Sequence, residues 1–206
     1  MTAAEVTRAL IGFEQRLRDL GAPVTNRLRP GLDPEEIEQI SAEHGVQLSQ
    51  DAAAWWAWHD GDRVRYEDDW GTPGLTPFTV FCGLRASLER AAQLHDLTWD
   101  ADAFDLPGID ADYLATMFDR QYVVLLQSQQ PVVMDCRDPL APDSPTGVYS
   151  LEGGIGRTIT LTERVGWWHW ALDTGFWILH PDGRWDVDLD RAPGQVVGLH
   201  ARDHAS

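Results

Sequence analysis

The sequence predicts an α+β fold, and three observations carry that expectation. Apolar residues recur at helical spacing through the first third of the chain. Residues 122 to 159 break into short β-branched runs separated by turn residues. A last helix then opens at Thr160, ahead of two closing strand-like runs. The expected arrangement is a single domain over residues 1–206, with N-terminal helices packed on one face of a mostly antiparallel sheet, then a late helix and a terminal hairpin.

Val6, Leu10, Phe13, Leu17 and Leu20 alternate spacings of four and three, which predicts a first helix over residues 1–20, ended by Gly21-Ala22-Pro23. The best specified stretch is residues 33 to 61. Asp33 is placed as an N-cap, Pro34 suits the first helical position, and Glu36 can reach back to the cap's own N–H. Ile37 and Ile40 share a face, and Gly45 supplies a left-handed stop. Ser49 then caps a second helix, which runs through Trp55, Trp56 and Trp58 until Asp60-Gly61 ends it.

This succession resembles the SUKH superfamily, the α+β domains that include Smi/Knr-type cell-wall regulators and many bacterial immunity proteins. The family pattern is a Glu-rich helix, a Gly-containing turn, a Leu-Pro step, an apolar helix and then His-Asn-Gly or His-Asp-Gly. The matching residues are Glu36, Ile37, Gly45, Leu48, Trp55, Trp56, His59, Asp60 and Gly61. Ser49 stands where the family usually has Pro, and Ser caps a helix as well as Pro starts one. The resemblance implies a non-enzymatic immunity protein that binds and occludes a bacterial toxin, or alternatively a regulatory scaffold of Smi/Knr type with no toxin partner.

Beyond this stretch, residues 62 to 77 read as a loop with a short strand at Val64 to Tyr66. Pro77, Phe78, Val80 and Phe81 read as extended, and Arg85 to Leu94 as a helix with Leu84, Leu88, Ala91 and Ala92 inward. Tyr122 to Gln127 and Val132 to Asp135 form a hairpin, Val148 to Leu151 and Ile155 to Ile159 a second one, and Phe176 to Leu179 with Trp185 to Leu189 a third. Thr160 and Glu163 make a capping box for a helix with Val165, Trp168 and Leu172 inward. Residues 193–206 are expected to fray.

Sixteen basic residues against 33 acidic ones give a net charge of −17, and every basic residue is Arg. Phosphate recognition needs a basic footprint, so direct nucleic-acid binding is disfavoured, while a basic protein partner fits. The N-terminus lacks a continuous apolar run, and no window approaches the roughly 18 apolar residues of a membrane span. With only Cys82 and Cys136, not spaced as a metal pair, a cytoplasmic setting with buried, inert thiols is expected.

No catalytic, cofactor or metal site is expected. Consecutive residues at a helix end rarely converge, which gives His59, Asp60 and Asp62 a structural reading, and His169 with Asp173 reads as a surface pair. Asp182, Asp186, Asp188 and Asp190 lack the spacing of a calcium loop and mark the wet face of a strand. Partner contacts are expected instead from the acidic stretches and nearby Trp residues: Glu67, Asp68, Asp69, Asp100, Asp102, Asp105, Asp110 and Asp112, with Trp58 and Trp70.

Overall fold

The computed structural model describes residues 3–63, 74–99, 118–141, 143–151 and 154–192. Its first helix, α1 (Ala3–Asp19), buries Val6, Leu10, Phe13 and Leu17 as the spacing requires. Leu20 lies past the last helical residue and is exposed, so the inward stripe is one residue shorter than expected. Strand β1 (Leu28–Pro30) leads into α2 (Pro34–Glu43), where the Asp33–Glu36 capping box closes in both directions, and Gly45 takes a φ of +68°. Helix α3 (Gln50–Trp58) starts on Ser49, whose side chain accepts from the Ala52 N–H.

The helix ends earlier than expected. His59 is already extended, at φ −152°, and residues His59–Asp62 form strand β2, antiparallel to β1. The expected stop at Asp60-Gly61 is therefore a strand. The chain then enters the main sheet at β3 (Val80–Phe81), and α4 (Leu84–Trp99) follows. The strand expected at Val64 to Tyr66 lies outside the described residues.

The main sheet continues with β4 (Tyr122–Gln127), β5 (Val132–Asp135), β6 (Pro145–Ser150), β7 (Gly154–Ile155) and β8 (Ile159–Thr160). Strands β3 to β7 follow one another across it in chain order, while β8 pairs with β6 off that path. Every strand pairing among the described residues is antiparallel. The second expected hairpin divides here, because β7 and β8 meet different residues of β6: Tyr149 faces Ile155, and Thr146 faces Ile159.

All six residues of β4 are buried, which a sheet with one wet face would not require. Val123 and Leu125 join Met134 in the larger core, with α1, α3 and the late helix α5 (Leu161–Asp173). Tyr122, Val124 and Val133 point the other way, into a smaller cluster closed by Ala91 and Leu94 of α4 and by Phe118. The sheet is thus covered on both faces: the N-terminal helices pack on one, as expected, and α4 takes the second.

Helix α5 begins at the Thr160–Glu163 capping box, closed in both directions. Arg164 fixes its register on the sheet: the buried guanidinium donates to the Thr146 hydroxyl at 2.6 Å and the Thr146 carbonyl at 2.8 Å. Burial pushes that guanidinium down to about 10. The terminal hairpin, β9 (Trp177–Leu179) and β10 (Trp185–Val187), turns at Gly183 with a φ of +88°.

Candidate functional site

The residues that looked most chemical, His59 to Asp62, are distributed along a strand, so successive side chains leave on opposite sides. His59 reaches α1. Its Nδ1 donates to the Arg29 carbonyl at 2.7 Å, since a carbonyl only accepts, and its Nε2 lies 3.2 Å from Glu14 Oε2. The same Glu14 oxygen accepts from the Trp58 indole at 2.9 Å, and Arg18 holds the other oxygen. Burial works against ionised Glu14, but hydrogen bonds from Trp58 and His59, with help from Arg18, outweigh it and keep the carboxyl below its ordinary value.

Asp60 turns toward α4 instead. Its Oδ1 accepts from the Leu84 N–H at 2.8 Å, capping the start of that helix, and its Oδ2 lies 3.4 Å from Arg29 Nη2. Gly61 has a φ of +83°, and a Cβ there would collide with the Gly83 nitrogen and sit 2.7 Å from the Cys82 carbonyl carbon. Asp62 is buried and bidentate with Arg27, at 3.1 and 2.8 Å. Four consecutive residues therefore tie β2 to α1, α4 and β1. This is a clamp: each polar atom named is engaged in holding elements together.

A second buried polar group lies beneath α3. The Ser144 hydroxyl donates to the Ser49 hydroxyl at 2.5 Å, and the Ser144 N–H reaches Asp51 Oδ2 at 3.3 Å. Burial pushes the Asp51 carboxyl above its ordinary value, and its Oδ1 has no hydrogen-bond partner among the described residues. Cys136 lies in the same neighbourhood, a free and buried thiol pushed up to about 11 by burial. Such a thiol is protonated at neutral pH and inert.

Of the residues expected to meet a partner, Trp58 is the one within the described residues, and it is turned inward. Its ring stacks on Phe81 at 5.8 Å and 17°, and its indole N–H is consumed by Glu14. Trp55 and Trp58, three residues apart, share the face over Phe81, so helical spacing itself pulls Trp58 into the core. Glu67, Asp68, Asp69, Trp70, Asp100, Asp102, Asp105, Asp110 and Asp112 lie outside the described residues. In the other Trp triplet, Trp168 is buried against Phe13 and Trp55, while Trp167 and Trp170 remain half-buried against Phe176. Asp173 pairs with Arg16 rather than with His169, which packs edge-on against Phe13.

One surface residue was missed. Phe78, expected in an extended run, is 74% exposed with a φ of +59°, the one non-glycine residue among those described to have a positive φ. It occupies the third place of a turn closed by the Thr79 N–H on the Thr76 carbonyl, with Pro77 second, as in a type II turn. The legible signal was Thr-Pro-Phe-Thr; a Phe where Gly or Asn is usual concealed it.

Among the described residues no cluster of three or more His, Cys, Asp or Glu is placed to hold a metal, and no helix is long and apolar enough to cross a membrane. No family model matches the chain. A 56-residue stretch, 27% of this chain, is 39% identical to "18 kDa antigen 1" of Mycobacterium intracellulare and spans 37% of that protein. The match covers little more than a third of that relative's length and assigns no family.

Proposed function

We propose that the chain is a non-enzymatic, cytoplasmic immunity protein that neutralises a basic bacterial toxin, such as a nuclease, by binding over its active surface. The observation that carries this reading is the net charge of −17. An acidic surface accelerates encounter with a basic protein and complements the groove a nuclease uses for phosphates. The clamp supports it from another side: the residues that carry the SUKH resemblance, His59, Asp60 and Gly61, hold the fold together, so the resemblance speaks for a framework on which a binding surface is displayed.

Co-expression with the toxin encoded beside the gene tests the reading. The expected result is survival of the cells and recovery of a complex of the two chains. Cell death without a complex contradicts it, and a gene with no toxin neighbour fits the Smi/Knr-type scaffold instead.

A further inference from the structure

The turn carrying Phe78 is built to hold an aromatic ring in water. Beneath it Leu75 and Thr76 are buried, and the Thr76 and Thr79 hydroxyls hydrogen-bond at 2.7 Å. Gly74 packs so closely on the Thr79 carbonyl that a Cβ would collide with it, and the Gly74 carbonyl accepts from the Trp185 indole at 3.0 Å. The turn is thereby fastened to the terminal hairpin. An exposed Phe in a left-handed conformation is disfavoured twice, by hydration of the ring and by the backbone; the contacts beneath the turn hold it there, and backbone strain of that kind clusters at ligand clamps and switch regions.

The surroundings indicate what the ring meets. The hairpin fastened to the turn and the short 3-10 turn after it carry Asp182, Asp186, Asp188 and Asp190 against Arg184 and Arg191; the arginines take up Asp182 and Asp188, His180 lies 3.8 Å from Asp186, and carboxylates remain in excess over guanidinium groups. Two chains of charge −17 repel each other, which disfavours a second copy as the occupant. We infer that Phe78 is the aromatic anchor of the docking surface, inserting into an apolar socket on a basic protein while the neighbouring carboxylates meet its Lys and Arg rim. This rests on the binding role proposed above and names the surface that performs it.

Thermal melting, and titration with the purified product of the neighbouring toxin gene, test it on Phe78→Asn and on a control, Leu140→Asn, which alters another exposed apolar side chain. Asn tolerates the left-handed region, so Phe78→Asn is expected to melt at or above the wild-type temperature while binding at least about tenfold more weakly, with Leu140→Asn binding like wild type. Undiminished binding by Phe78→Asn overturns the inference and leaves the binding role standing, whereas a wild-type chain that does not bind overturns both. A melting temperature lowered by several degrees makes Phe78 a structural residue and removes the anchor. A wild-type dimer that Phe78→Asn dissociates assigns the surface to a second copy and equally overturns the basic partner.

Discussion

Gly61 and Gly166 face opposite demands. Gly61 has both a left-handed φ and no room for a side chain, so Gly61→Ala is expected to cost about 3 kcal/mol from backbone strain and overpacking together. Gly166 lies inside α5 with nothing among the described residues within reach of a Cβ, and Gly166→Ala should gain roughly 0.5–1 kcal/mol. Urea unfolding midpoints check both. Buried carboxyls make a second pair of opposites. Glu14 is held below 4.5, so its ionised form stabilises the fold above that pH, and the contribution disappears as pH falls through the folded value. Glu14→Gln should therefore be less stable than wild type at neutral pH, with the gap narrowing below about pH 4.5. Asp51 is pushed above 3.8; its contribution is present at lower pH and lost as pH rises through the folded value. The advantage of Asp51→Asn over wild type should accordingly grow from acid toward neutral pH in the same titration. The penalty of Gly166 is legible in sequence, as a glycine inside a helical run, but neither carboxyl's environment is: Glu14 follows the core residue Phe13, and its partners Trp58 and His59 are 44 and 45 residues away.

At the scale of elements, what is encoded locally could be read and what depends on distant partners could not. Helices α2 and α5 open where their capping boxes say they do, because a cap and its N3 partner are three residues apart. The two N-caps at Asp33 and Ser49 look equivalent in sequence and differ in place. Asp33→Ala should cost about 1 kcal/mol, the loss of an exposed cap, whereas Ser49→Ala also strands the buried Ser144 hydroxyl and should cost about 2 kcal/mol, both measurable by chemical denaturation. Strand β2 escaped notice because His-Asp-Gly-Asp is a poor strand former, and its pairing partner Leu28 is remote from Asp62. Helix α4 starts one residue before the expected Arg85 and runs five past the expected Leu94, and Ala92, expected inward, is exposed, since helical spacing alone does not say which apolar residue the sheet covers.

For the molecule as a whole, the α+β class followed from the order of its elements, while the two-sided burial of the sheet needed α4 to be seen on its second face. The unbroken apolar run from Tyr122 to Leu126 carried that information, because a strand with one wet face alternates. Surface charge is the global property on which the functional proposal depends, and it acts through the rate of encounter. The direct measurement is the association rate of the purified chain with the proposed toxin partner, taken as the product of a toxin gene adjacent to its own, across a series of salt concentrations. The expected result is a tight complex whose association slows steeply as salt rises, with dissociation changing much less. No complex at any salt, or an association rate indifferent to salt, would contradict it.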